Sequence, residues 1–189
     1  RVQMLAEVQS FLRDNHGIRV FAGLGFENAY AFAMTRERAE GMGARSIADL
    51  ARLPAGLTIG GDPEFFARPE WRRVRDAYGL HGQATRGMDS TFMYGAVRDG
   101  EVDIITAYTT DARIDAFDLR LLRDPQQAFP PYDAVLLLSP RAAQMPALAE
   151  ALAPLADAIP TGLMRAANGR VDQHGETPGQ AAEFMLEKF

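Results

Sequence analysis

The sequence predicts an α/β fold with a mainly parallel sheet. Short apolar runs, typical of buried strands, alternate with segments of helical periodicity, and this alternation indicates a sheet covered by helices. The predicted strands cover residues 18–22, 57–60, 102–107 and 119–122. Past Pro140 the pattern changes to helices alone, so the end of the chain is expected to lie outside this layer.

Capping residues stand where the periodic segments begin and end. Glycines and short polar residues satisfy free backbone groups at helix ends, so they predict the boundaries. The expected caps are Gly17 after 2–15, Ser46 with Asp49 before a short helix, Gly79 after 71–78, Asp89 before 90–98, and Thr177 before 178–189. Two more helices are predicted over 141–153 and 163–167.

Composition and charge exclude several classes of protein. Hydrophobic residues make up 47% and charged residues 24% of 189 residues, which is typical of a globular chain. The net charge of −5 offers no basic excess to neutralise phosphates, so no nucleic-acid partner is expected. There is no cysteine, and apolar runs such as 134–138 are too short to cross a bilayer.

Catalytic and cofactor motifs are lacking. His16, His81 and His174 are far apart, so the sequence predicts no metal site. The pair of glycines at 23 and 25 has no third glycine, because Asn28 stands in its place, and no dinucleotide cofactor is expected. With one lysine and no poised pair of carboxylates, the chain is predicted not to be an enzyme.

Three tyrosines stand at predicted loop positions. Tyr30 follows the loop after the first strand, Tyr108 follows a strand directly, and Tyr132 follows two prolines. Because ligands gather at the carboxyl ends of parallel strands, Tyr30 and Tyr108 are expected at such an edge. Converging aromatic faces attract a quaternary ammonium, although each tyrosine alone also fits packing at the core edge. Tyr78 and Tyr94 lie in predicted helices and are expected to pack.

Five motifs then occur in a family-like order. They are FENAYA at 26–31, GDPEFF at 61–66, GEVD at 100–103, AYTTD at 107–111 and FPPYD at 129–133. From about residue 18 onwards the chain therefore resembles the substrate-binding proteins of osmoprotectant ABC transporters, the glycine betaine, choline and carnitine group. The last two motifs are fairly specific, whereas GEVD is shared more widely among solute-binding folds.

The resemblance implies a type II periplasmic-binding-protein fold, with the ligand held between two α/β lobes. It also implies a ligand site made of an aromatic cage, two polar groups and an arginine for a betaine carboxylate: Tyr30, Tyr108 and Tyr132; Asn28 and Thr110; and Arg68. A plain surface role for Arg68 stays open, since Arg72 and Arg73 are near. Asp111 is expected to cap a helix or to favour a cation.

The same resemblance divides the chain into three parts. Residues 1–20 are expected to be a remnant of lobe 1 with the crossover, 21–129 a complete lobe 2, and 130–189 the return crossover with C-terminal helices of lobe 1. The front of lobe 1 is then missing, and apolar faces left behind predict self-association. The implied partners are a quaternary amine and an ABC permease, in a periplasmic or extracytoplasmic, membrane-associated location.

Three other interpretations stay open from sequence. The same architecture could bind a different cationic or zwitterionic solute. An effector-sensing domain of a transcription regulator uses a similar bilobed fold, but it needs a helix-turn-helix, and these residues show none. An enzyme on this scaffold is disfavoured, because acid–base residues are not clustered.

Overall fold

The chain folds as two units, and its computed structural model describes residues 2–53 and 56–188. Unit 1 contains the residues up to Asn28 and those from Pro131 onwards, and unit 2 is Ala29–Pro130. The strands are β1 Arg19–Glu27, β2 Tyr30–Thr35, β3 Thr58–Gly61, β4 Ala84–Gly87, β5 Ile104–Tyr108, β6 Leu119–Leu121 and β7 Asp133–Leu138. The α-helices are α1 Val2–His16, α2 Arg36–Gly41, α3 Ile47–Leu50, α4 Pro63–Ala67, α5 Pro69–Tyr78, α6 Ser90–Arg98, α7 Arg113–Ala116, α8 Pro146–Leu152, α9 Thr161–Asp172 and α10 Pro178–Leu186.

Unit 2 is built on a five-stranded sheet with the order β4-β3-β5-β2-β6. β3 pairs in parallel with β4 and β5, whereas β2 pairs antiparallel with β5 and β6. Four strands therefore share one direction and β2 runs against them. The sheet is mixed, so its predicted mainly parallel character holds for the strand directions but not for the pairings of β2.

Strand β2, next to the central strand β5 of unit 2, is buried on both faces. Successive side chains of a strand point to opposite faces. Accordingly Phe32 and Met34 of β2 join one apolar cluster with α3, α4 and α5, while Ala33 joins a second cluster with α6 and α7. Burial on both sides explains why β2 is a continuous apolar run rather than an alternating one.

The predicted helix caps are confirmed where side chains make them. The Asp89 carboxylate accepts from the N–H of Thr91 at 2.7 Å, and Thr177 with Gln180 closes a capping box at α10. Asp49 closes a second box by accepting from the N–H of Ser46 at 2.9 Å. Gly79 ends α5 with a φ of 66°, a left-handed conformation that glycine adopts without strain.

Unit 1 contains a two-stranded antiparallel sheet, β1 with β7, and helices α1 and α8–α10. Gly25 in β1 has a φ of 101°, and a Cβ there would lie 2.9 Å from the backbone of Asp157. Glycine is therefore required where these two segments meet. In the described ranges, no helix has both the length and the apolar character needed to span a membrane.

One helix prediction in unit 1 is wrong. Residues 141–153 do not form a continuous helix: a 3₁₀ turn covers Ala142–Gln144, and α8 starts anew at Pro146. Proline lacks the N–H that a helix interior needs, so Pro146 can stand at the first position of a helix but not inside one.

Candidate functional site

Tyr30 and Tyr108 form a cross-strand pair at one end of the sheet in unit 2. They stand directly opposite each other in the register of β2 and β5. Their ring centroids are 4.9 Å apart with an angle of 36° between the planes, and the Tyr108 hydroxyl donates to the Tyr30 hydroxyl at 3.1 Å. Both rings are half-buried. The pair therefore presents two inclined aromatic faces.

The loop position predicted for Tyr30 is wrong, although Tyr30 and Tyr108 do lie next to each other. β1 ends at Glu27, and Tyr30 is already the first residue of β2, so it begins a strand instead of lying in the loop after one. Because β2 runs antiparallel to β5, its start lies beside the end of β5, where Tyr108 stands. An antiparallel strand thus produces the proximity that was expected from parallel ones.

The turn after β5 locks this end of the sheet. The N–H of Thr109 donates to the carbonyl of Ala29 at 3.0 Å, and the N–H of Ala29 donates to Thr109 Oγ1 at 3.1 Å. Thr110 follows and is buried. Thr109 was not singled out from the sequence, because its role is a backbone contact to a residue 80 positions away.

The ring of Phe65 packs against the ring of Tyr30. The Phe65 ring is fully buried and its centroid lies 5.0 Å from that of Tyr30 and 6.1 Å from that of Trp71. It lies on α4, which begins at Pro63 after the Asp62 cap. No signal in the sequence separates Phe65 from an ordinary core residue.

Arg68 is the arginine that was predicted to bind a ligand carboxylate, and it lies between α4 and α5. Its guanidinium pairs with the Glu64 carboxylate, and its buried Nε makes no hydrogen bond within the described part of the chain. The hydrogen bond to Glu64, and then the electrostatic interaction with Tyr30, raise the pKa of Arg68. Arg68 therefore stays charged, and it lies close enough to Tyr30 for an electrostatic interaction.

A polar network lies directly behind Tyr108. The Asp111 carboxylate accepts from the N–H of Arg113 at 2.9 Å and from its guanidinium at 2.7 Å. The N-cap residue of α7 is Ala112, so Asp111 stands one position before the cap. The Arg113 guanidinium lies 4.0 Å from the centroid of Tyr94, whose hydroxyl accepts from the N–H of Tyr108 at 3.4 Å. Burial raises the pKa of Asp111, but the hydrogen bonds from Arg113 outweigh burial and hold the pKa below its ordinary value.

Tyr94 and Tyr78 are buried, which confirms their predicted packing role. The Tyr94 hydroxyl nevertheless takes part in the network behind Tyr108, and burial raises its pKa. Tyr94 is thus a supporting residue that its helical spacing alone could not reveal.

Asn28 and Tyr132, the other two predicted ligand residues, lie in unit 1. The N–H of Asn28 donates to the carbonyl of Tyr132 at 3.1 Å, and both side chains are exposed. This bond continues the pairing of β1 with β7. Among the described residues, no cluster of three or more histidines and carboxylates could hold a metal ion.

The fold is that of a substrate-binding protein of the type II periplasmic kind, as predicted. Over residues 3–188 the chain matches the family described as the substrate binding domain of the ABC-type glycine betaine transport system. The chain belongs to this family, which confirms the resemblance found in the sequence.

Two curated relatives illustrate the match. The chain is 37% identical over 176 residues to the glycine-betaine-binding protein of Pseudomonas aeruginosa, covering 86% of the chain and 57% of the relative. It is 27% identical over 187 residues to the carnitine transport binding protein OpuCC of Listeria monocytogenes, covering 97% and 61%. The chain therefore spans roughly three fifths of the length of these relatives.

Solved structures agree in fold. A glycine betaine/carnitine/choline ABC transporter structure superposes with a TM-score of 0.91 at 30% identity, covering 99% of this chain and 70% of that one. Apo YehZ from Escherichia coli superposes with a TM-score of 0.78 at 20% identity, covering 99% and 71%. The second similarity bears on the fold alone.

Proposed function

We propose that the chain binds a quaternary ammonium osmolyte, such as glycine betaine or choline, and passes it to an ABC permease. The observation that carries the proposal is the Tyr30–Tyr108 pair, with its rings 4.9 Å apart and Phe65 behind it. A quaternary ammonium cannot donate hydrogen bonds, so ring faces are its natural partners, at about 2 kcal/mol for a desolvated contact. Membership of the glycine betaine family supports this ligand class.

The remaining parts of the proposal rest on the family motifs. Thr110 in unit 2, and Asn28 and Tyr132 in unit 1, stay predicted ligand contacts. The chain is proposed to bind without catalysis and to work in an extracytoplasmic location, periplasmic or membrane-associated. Self-association stays a prediction that comes from exposed apolar residues on α1, including Val8 and Phe11.

A zwitterion with a carboxylate is favoured over a simple cation by one observation. Arg68 is charged, it is coupled electrostatically to Tyr30, and its buried Nε makes no hydrogen bond within the described ranges. Guanidinium groups bind carboxylates through paired N–H donors. Arg68 is therefore proposed to hold the carboxylate of a betaine while the tyrosines hold its ammonium.

Tyr108→Ala is expected to weaken binding of glycine betaine and of choline about tenfold or more, because it removes one aromatic face. Isothermal titration of the chain with each ligand measures the effect. Tyr108→Phe is the matched control: it keeps the ring and loses only the hydroxyl contact to Tyr30, so its affinity should stay within a few-fold of the parent. Equal affinity in the alanine variant, or no saturable binding by the parent chain, would contradict the proposal.

Glu64→Gln is expected to raise the affinity for glycine betaine up to about fivefold while leaving that for choline unchanged. The Glu64 side chain is 70% exposed, so solvent screens its ion pair with Arg68 and separating the pair costs little free energy. A ligand carboxylate must displace that pair, whereas choline has no carboxylate to compete.

The control for Glu64→Gln is Glu101→Gln, which removes another exposed glutamate that pairs with an arginine, Arg86. Titrations of both variants with both ligands decide the matter. If Glu64→Gln raised the affinities for glycine betaine and for choline equally, Arg68 would be shown not to bind the ligand carboxylate.

A further inference from the structure

A pocket in unit 2, separate from the tyrosine pair, is lined by three arginines. Its volume is about 510 Å³, and the lining includes Arg45, Arg120 and Arg123 with Glu40. It lies at the edge strand β6, and Arg120 stands opposite Met34 near the end of β2, whereas Tyr30 begins β2. The net charge of the chain is −5, so a basic excess of the whole protein does not explain this cluster.

Backbone pairing holds two of these arginines next to each other. The N–H of Arg123 donates to the carbonyl of Arg45 at 3.1 Å, and the N–H of Ile47 donates to the carbonyl of Arg123 at 2.9 Å. Ser46 and Arg123 also form an isolated parallel bridge. These bonds join two segments that are almost 80 positions apart in sequence. The backbones of Arg45 and Arg123 therefore lie side by side.

The charges in the pocket are only partly balanced. Glu40 accepts from the Arg120 guanidinium at 2.8 Å, which compensates one of the three positive charges. Arg45 and Arg123 are exposed and make no ion pair within the described residues. Asp49, on the same segment, is occupied by the N–H groups of Arg45 and Ser46 and lies 3.6 Å from Arg52. Three arginines against one glutamate therefore leave two positive charges.

We propose that this pocket binds a phosphate group, carried by a small organic ester or by a lipid headgroup. Guanidinium groups bind phosphate oxygens bidentately, and an anion would offset the repulsion between like charges held close together. Ala39 and Leu121 add apolar lining, and the volume exceeds what an inorganic ion fills, so there is room for the organic part of an ester.

The test titrates the isotope-labelled full chain with glycerol phosphate and with inorganic phosphate, and follows the arginine Nε–H signals by NMR. Saturable shifts of Arg45 and Arg123 are expected, with tighter binding of the ester. Arg123→Gln and Arg45→Gln should each weaken binding about tenfold, the usual effect of losing one hydrogen bond to a charged group. Arg72→Gln, which changes an exposed arginine of α5, should leave binding unchanged.

Vesicles distinguish the two sources of the phosphate group. Cosedimentation with vesicles of phosphatidylglycerol in phosphatidylethanolamine, abolished by Arg123→Gln, would identify a lipid headgroup. Binding of glycerol phosphate without cosedimentation would identify a free ester. Shifts that chloride reproduces at equal ionic strength, or that persist in both glutamine variants, would overturn the proposal. Glycine betaine titrations of the same variants should match the parent, so the outcome is independent of the tyrosine site.

Discussion

Phe65→Ala is expected to lower the free energy of unfolding of unit 2 by about 3–5 kcal/mol, the usual cost of deleting a buried phenyl ring. Phe65 is fully buried and contacts Tyr30, Phe32 and Trp71 through its ring. The surrounding rings belong to different elements and cannot all move into the space left behind. Most of the cavity should therefore persist.

Denaturant titration followed by tryptophan fluorescence measures this loss directly. Trp71 is the one tryptophan of the chain and lies in the same cluster, so its emission reports the unfolding of unit 2. Phe92→Ala is the control, because the Phe92 side chain is 70% exposed and its loss should change the free energy by less than about 0.5 kcal/mol. A cost below about 1 kcal/mol for Phe65→Ala would show that the cluster repacks.

The same substitution tests how far the tyrosine site depends on its support. In conditions where Phe65→Ala remains folded, the Tyr30 ring loses its neighbour at 5.0 Å and gains freedom to move. A binding site whose rings are held in advance loses less entropy when a ligand arrives. Glycine betaine should therefore bind more weakly to this variant, even though Phe65 itself lies beneath the proposed contact surface.

Arg113→Met is expected to lower the free energy of unfolding by about 2–3 kcal/mol at pH 7. Removing one member of a buried ion pair costs about 3–5 kcal/mol, since the remaining charge loses its compensation. The lower range applies here because Arg113 is 33% exposed, although Asp111 is only 14% exposed. The variant also loses the cation–π contact with Tyr94.

The pH dependence identifies Asp111 as the group responsible. In the parent, the pKa of Asp111 is held below its ordinary value, so its contribution to stability is present above about pH 4 and is lost as the pH falls through the folded-state pKa. In Arg113→Met the guanidinium is lost, while burial and the hydrogen bonds from the N–H of residue 113 and from Tyr94 remain, so the pKa of Asp111 should rise. The stability difference between parent and variant should therefore be constant near neutral pH and narrow towards pH 3.

Denaturant titrations at a series of pH values measure this difference. The control compares Asp111→Asn with and without Arg113→Met, because both proteins then lack the titrating carboxylate, and their stability difference should not depend on pH over this range. A gap of constant size from pH 7 to pH 3 would show that Arg113 stabilises the turn by packing and not through the Asp111 charge.

Local chemistry predicted much of the fold. Caps such as Asp89 and Thr177 act within three residues, so their signals lie in the sequence itself. β2, β4 and β7 were missed as strands. A short apolar run such as 31–34 does not distinguish a strand from a buried helix, and the pairing of β7 with β1 joins residues more than 100 positions apart.

The candidate site divides in the same way. Tyr30 and Tyr108 could be selected from motifs, because aromatic residues at predicted strand ends are unusual enough to notice. Phe65, Thr109 and Arg113 could not, since their roles are contacts made only after the strands have paired. Supporting residues carry the same letters as ordinary core and surface residues, and only the assembled neighbourhood separates them.

Strand β4, whose four residues are all exposed, affects the tendency of the protein to aggregate in concentrated solution. As the outermost strand beyond β3, it leaves one row of backbone donors and acceptors open, a template on which another chain could add a strand. Its protection comes from its four-residue length and from the charge of Arg86, while no described strand covers its outer side. Resistance to aggregation at this edge thus depends on the shortness and the charge of one four-residue segment.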